Sequence, residues 1–284
     1  METILRSRQQ RVAIGPQHPL VVIGERINPT GRKKLARALE EGNLKMVQEE
    51  ALKQVHEGAQ VLDVNVGVSG IDEPRLLSEA VQAVCEVVEV PLCIDSALTK
   101  ALEAGLGVYD GKALVNSVNG EERKLKEVLP LVKNYGAAVV GLTMDDAGIP
   151  RNAERRLEIA RRIVAAAQNE GIPLEDVIID PLAMAISTDH LAAVETLKAI
   201  KLIRDELGVN QTLGASNISF GLPDRSAINS IFTALAVANG VTCPILDPTV
   251  WDIRRAALLT DMLLGKDEWC MNFISVYREK FPTA

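Results

Sequence analysis

The sequence predicts an α/β chain folded as one (β/α)8 TIM barrel, and three observations carry that expectation. Short apolar runs alternate with longer helix-like stretches. The runs repeatedly end on a carboxylate or a carboxamide, as in VLDVNVG, PLCIDS, ALVNSVN, DVIIDP and TLGASN. Their phase is regular enough to lay out eight strand–helix units. In such a barrel the C-terminal ends of the strands form the mouth, so short polar side chains there are expected to line one pocket. A doubly wound open sheet is the rival architecture. It would normally carry a glycine-rich turn after its first strand, but Gly24-Glu25-Arg26-Ile27-Asn28 lacks GxGxxG and no GxxxxGK[ST] occurs.

The elements follow from apolar periodicity and glycine stops. The first strand is expected at 21–27, followed by a helix over 33–57 that ends at Gly58. A second strand at 61–66 precedes a helix that begins near Glu73 with Pro74 in its first turn. The remaining strand–helix pairs are 92–96 with 99–105, 113–118 with 121–134, 137–144 with 152–170, 177–180 with 189–207, 212–217 with 225–239, and 244–247 with 251–264. The strands lack strict two-residue alternation, as expected of a parallel sheet covered on both faces. The whole chain, 1–284, reads as a single domain with 1–20 as an N-terminal extension. Within that extension, Val12-Ala13-Ile14 before Gly15-Pro16 is expected to form one arm of a hairpin pairing into Leu20-Val21-Val22 and plugging the barrel floor.

Composition narrows the function. The chain is 47% hydrophobic but only 3% aromatic, which suits cores of Val, Ile, Leu and Ala. A net charge of −7 without a basic block argues against nucleic acid as a partner. No apolar run is long enough to span a membrane, and the N-terminus lacks the apolar core of a signal peptide, so a cytoplasmic protein is expected. Cys85, Cys93, Cys243 and Cys270 have no ligand spacing and are read as free thiols. No metal site is expected, because the carboxylates are spread over strands without a His or Cys cluster.

Asp95, Asn116 and Asp180 end three of the predicted strands. An inward carboxylate accepts a parallel pair of N–H groups, the pattern offered by the 2-amino-4-oxo edge of pterins and guanines. Each residue taken alone could equally cap the helix that follows; the set of three at one barrel mouth favours binding. The loop 212–225 is the most distinctive segment. Gly214 and Gly221 allow close backbone approach, Ser216 and Asn217 stand at the strand end, and Arg225 opens the next helix. Spacing alone leaves this loop open between a binding loop and an ordinary connection with Arg225 paired to Asp224 or a neighbour.

Taken in order, GERINPTGRKK (24–34), Asp63-Val-Asn65, Ile94-Asp95-Ser96, Val115-Asn116-Ser117, Ile179-Asp180-Pro181 and Ser216-Asn217-x-Ser219 through Pro223-Asp224-Arg225 resemble the pterin-binding methyltransferases. That family includes the methyltetrahydrofolate:corrinoid protein methyltransferases and the folate domain of cobalamin-dependent methionine synthase. The likeness runs from about residue 20 to 265. It implies a dihydropteroate synthase-like barrel in which Asp95, Asn116 and Asp180 hold the pterin ring, with Ser216, Arg225 and Gly214 beside it. Glu25, Asn28, Asp63, Asn65 and Met144 are secondary binding candidates. Asn217 matches the asparagine that hydrogen-bonds N5 of the folate. Phe220 departs from the polar residue that some members carry there, so part of their hydrogen-bond network around N5 is absent or supplied differently.

The resemblance further implies tetrahydrofolate or methyltetrahydrofolate as substrate, a homodimer, and a corrinoid carried by a separate protein. The Asp-x-His-x-x-Gly signature of corrinoid-binding domains does not occur here. Methyl transfer from N5 to Co(I) is a displacement whose leaving amine must be protonated or strongly hydrogen-bonded. An asparagine amide can donate a hydrogen bond or accept one but cannot give up its own proton at neutral pH. Asn217 is therefore expected to stabilise N5–H, with the proton arriving from solvent or through an ordered water near Asp95 and Asn116. Two other readings remain at this stage. One is dihydropteroate synthase, whose Asn-x-Thr-Pro-Asp-Ser-Phe loop is replaced here by Asn28-Pro-Thr-Gly-Arg32 and whose Ser-Arg-Lys segment is missing after the seventh strand. The other is a folate-binding subunit without catalysis.

Overall fold

Residues along each barrel strand face the axis and the surrounding helices in turn, and that alternation sorts the apolar residues of this chain into two cores. A computed structural model describes residues 1–282. Its strands are β1 (Thr3–Arg6) and β2 (Arg11–Ile14), then β3 (Ile23–Ile27), β4 (Val61–Asn65), β5 (Leu92–Asp95), β6 (Leu114–Asn119), β7 (Ala138–Leu142), β8 (Val177–Asp180), β9 (Asn210–Gln211) and β10 (Ile245–Leu246). From β3 to β10 all pairings are parallel. The strand order is β10-β3-β4-β5-β6-β7-β8-β9. The ring closes where Gly214 bridges Ile245 and the Ile245 amide donates to the Leu213 carbonyl at 2.9 Å.

Between strands run α1 (Lys33–Glu40) and α2 (Lys45–His56), α3 (Glu73–Cys85), α4 (Thr99–Val108), α5 (Glu122–Tyr135), α6 (Ala153–Glu170), α7 (Ala192–Leu207), α8 (Arg225–Asn239) and α9 (Trp251–Leu263). Leu62, Val64, Ile94, Val115, Val139 and Ile179 face these helices and pack with Leu77, Leu102, Leu129 and Ile163. Ile23, Val61, Cys93, Leu114, Val140 and Ile178 face inward. A final helix, α10 (Met271–Lys280), lies beyond the expected elements. It docks through Tyr277 and, just past its end, Phe281, whose ring meets Trp251 of α9 edge-on at 5.5 Å.

The N-terminal hairpin exists, but its second arm is not 20–22. β1 pairs antiparallel with β2, matching Thr3 to Ile14 and Arg6 to Arg11. Leu20 to Val22 instead lead into β3, and the Val21 amide donates to the Thr242 carbonyl at 3.2 Å. Leu5, Val12 and Ile14 join the inward layer of the barrel, so the hairpin seals the floor as expected.

Two further expectations are corrected. The single helix over 33–57 is two helices, because Gly42 adopts φ +67° and stops α1, and the Asn43 side chain accepts the Lys45 amide where α2 begins. The seventh strand is Asn210–Gln211 rather than 212–217. Its polar residues tolerate burial because each finds a partner. Asn210 Nδ2 donates to Thr3 Oγ1 and to the Ile14 carbonyl, both at 2.9 Å, and Gln211 Nε2 donates to the Ile200 carbonyl at 3.0 Å. Ser216 and Asn217 therefore sit on a 3-10 turn, Ala215–Ser219, beyond the strand.

Candidate functional site

The site is one more step of the same two-residue period. Two positions beyond inward-facing Ile23, Val61, Cys93, Leu114 and Ile178 stand Glu25, Asp63, Asp95, Asn116 and Asp180, so an apolar layer is followed toward the mouth by a polar one. A cavity of about 620 Å³ opens there. Of the expected residues, Glu25, Asn28, Asp63, Asp95, Asn116, Gly214, Ser216, Asn217 and Arg225 line it.

Neighbouring strands brace these side chains laterally. Asn116 Nδ2 donates to Asp63 Oδ1 at 3.1 Å, and Asn65 Nδ2 donates to Asp95 Oδ2 at 2.9 Å. Burial pushes the Asp63 carboxyl upward, while the Asn116 hydrogen bond opposes the shift. Burial pushes Asp95 well above the usual carboxylate range, and the neighbouring Asp63 charge adds to it. Neither acid has a salt-bridge partner among the described residues. Buried carboxylates without a cation are costly, and a ligand bringing paired N–H donors or a positive charge offsets that cost.

Asp180, Asn65 and Met144 are not on the cavity wall. Asp180 Oδ1 is turned to its own chain, accepting the Leu182 amide at 2.7 Å, and its carboxyl is pushed up by burial to about 7. Asn65 is occupied by Asp95 and by the Gly67 amide, which it accepts at 2.9 Å. The Met144 carbonyl accepts the Gly120 amide in the connection after β7.

The wall after β9 is built by the loop 212–225, whose role spacing alone leaves open. Arg225 does not pair with Asp224. Its Nη2 donates to the Ser216 carbonyl at 2.9 Å, its Nε donates to Ser219 Oγ at 3.0 Å, and its guanidinium lies 4.6 Å from the centre of the Phe220 ring. The arginine thus braces the turn that presents Asn217. Gly214 suits this close approach, because a Cβ would sit 3.0 Å from Asn217 Nδ2 and press on it. Ser216 Oγ reaches across the barrel to donate to Glu25 Oε1 at 2.7 Å.

Several residues escaped the sequence reading. Arg26 Nε stands 3.2 Å from Asp247 Oδ2, an ion pair on the cavity wall between the first and last barrel strands. Asn229 of α8 also lines the cavity, and its Oδ1 is buried without a hydrogen-bond partner. Arg156 is wholly buried and donates to the carbonyls of Pro150, Pro181 and Leu182 and to Thr196 Oγ1, pinning the segment after Asp180. The polar step two residues beyond each inward apolar residue was the available signal for Asp247; nothing local marked Asn229 or Arg156. Among the described residues no group of three or more His, Cys, Asp or Glu is placed to hold a metal, and no helix is long and apolar enough to cross a membrane.

A barrel with acids and amides converging at the strand ends is chemically suited to a donor-rich heterocycle. The chain belongs to the pterin-binding enzymes, whose family model matches residues 24–247. It is 34% identical over 266 residues to a methylcorrinoid:tetrahydrofolate methyltransferase of Eubacterium limosum, covering 92% of this chain and 97% of that one. It is also 34% identical over 226 residues to methionine synthase of Mycobacterium tuberculosis, covering 75% of this chain and 19% of that longer protein. Its enzyme class is methyltransferase. Dihydropteroate synthase of Clostridium difficile, solved with pteroic acid, superposes with a TM-score of 0.70 at 20% identity, over 86% of this chain and 97% of that one, a likeness of fold alone.

Proposed function

We propose that this enzyme moves a methyl group between N5 of tetrahydrofolate and the cobalt of a corrinoid carried by a separate protein. The observation that carries the reading is the meeting of Asp63, Asp95, Asn116 and Asn217 on one cavity in a chain so alike in length and sequence to a methylcorrinoid:tetrahydrofolate methyltransferase. Asp95 and Asn116 hold the pterin ring by its donor edge, and Asp63 and Asn65 fix their orientation. Asp180 completes the set when the ring draws its carboxyl toward the cavity. Ser216 and Arg225 position the turn, and Asn217 hydrogen-bonds N5 and stabilises the protonated amine as the C–N bond breaks.

The cobalt is the other substrate, delivered over the open mouth by its own protein. One pocket serves both directions, because the forward and reverse reactions share a transition state. The chain acts in the cytoplasm, as a homodimer. Mixing the protein with methyltetrahydrofolate and cob(I)alamin and following the absorption spectrum tests the reading: formation of methylcobalamin is expected. Tight folate binding with no methylcobalamin would select a binding subunit instead.

A further inference from the structure

Methyl exchange at N5 needs a proton that Asn217 cannot supply. The cavity offers few acids free to do so. Asp247 is paired with Arg26, Asp63 and Asp95 are tied to Asn116 and Asn65, and Asp180 is turned to the Leu182 amide. Glu25 differs. It sits on the cavity wall, has no ion-pair partner among the described residues, and shares a hydrogen bond only with Ser216, the residue preceding Asn217.

We propose that Glu25 is the acid and base that exchanges the N5 proton, a role that rests on the methyl-transfer reading above. With methyltetrahydrofolate as donor, the Glu25 carboxyl gives its proton to N5. The methyl carbon then forms its bond to Co(I) using the metal's electron pair, and the C–N pair returns to nitrogen. Tetrahydrofolate leaves with N5–H, and the Glu25 carboxylate takes a proton from solvent. In reverse, the carboxylate removes the N5 proton after the methyl arrives, restoring neutral methyltetrahydrofolate.

The surroundings suit both halves of the cycle. Burial raises Glu25 to about 7, the Ser216 hydrogen bond and Arg26 pull it down, and Asp247 and Asp63 push it up. Arg32, Arg225 and Asp95 are the other charged or acidic groups on the same cavity. A carboxyl poised near neutral pH is effective both as acid and as base.

The test is single-turnover methyl transfer to cob(I)alamin over a pH range of about 5.5 to 8.5, with methyltetrahydrofolate affinity measured in parallel. Wild-type transfer should decline above pH about 7, as the donor form is lost. Glu25→Gln should bind methyltetrahydrofolate within about threefold of wild type. Its transfer should fall by about a hundredfold or more and lose that decline. Ser216→Ala removes a hydrogen bond that favours the carboxylate, so its decline should move to higher pH. Transfer by Glu25→Gln at the wild-type rate with the wild-type profile overturns the assignment. If Glu25→Gln does not fold, an unshifted decline in Ser216→Ala overturns it. If the wild-type protein itself makes no methylcobalamin at any pH, the failure lies in the methyl-transfer reading.

Discussion

Replacing Asp180 by asparagine should reverse the order of stability between variant and wild type as pH changes. The carboxyl is buried at the end of β8, and burial raises it from 3.8 to about 7 against the pull of the Leu182 and Gly214 amides and of Arg156. In the unfolded chain the group ionises near its ordinary value, whereas the folded protein keeps the proton until about 7. The folded state therefore holds more protons between those limits, and stability falls through that window as pH rises, then levels off. About three pH units at about 1.4 kcal/mol each make the loss about 4 kcal/mol. Asparagine does not titrate. It keeps an oxygen for the Leu182 amide, bonded at 2.7 Å in the wild type, but loses an acceptor for the second amide. That loss costs about 1–3 kcal/mol at every pH. The variant should thus be the less stable protein near pH 4 and the more stable one near pH 8. Urea unfolding at several pH values reads this directly, with equal m-values confirming that the same surface unfolds. A stability difference that stays constant from acid to alkaline pH would refute the reasoning.

Other consequences are equally open to measurement. Asn217→Ala should lower turnover about a hundredfold while methyltetrahydrofolate affinity falls less than about tenfold, as for loss of one transition-state donor; equal losses in both would remove the division of roles. Arg156→Leu orphans the Pro150 and Pro181 carbonyls, while the Leu182 carbonyl keeps only the Thr196 hydroxyl. At about 1–3 kcal/mol for each of the two orphaned groups, it should destabilise the protein by at least about 2 kcal/mol in urea unfolding. Leu5→Ala opens a hole in the wholly buried floor. Its cost should be about 2–5 kcal/mol with folate affinity unchanged; a binding loss as large as that of Asp95→Ala would contradict the separation of floor from mouth.

Much of this arrangement could be read from the chain alone because it is local. Strand, helix and cap are set by neighbours a few residues apart, so the order of the barrel units and the polar strand ends are visible as patterns. Asp95, Asn116 and Asn217 belong to that legible part. The closure of the ring does not. Asn210-Gln211 is polar and looks like a loop until Thr3 and Ile14, distant in sequence, and Ile200 on the preceding helix supply partners for its amides.

The sequence by itself determined which residues step inward, since a strand turns each second side chain to the same face: Ile23 and Glu25, Val61 and Asp63, Cys93 and Asp95 differ by one such step. Only the tertiary structure decided what those side chains meet. Packing set Ser216 against Glu25, Arg26 against Asp247 and Asn116 against Asp63. The physical reason is that burial and hydrogen-bond partners, which set the charge each acid carries, come from strands far apart in the chain and exist only once the ring has closed.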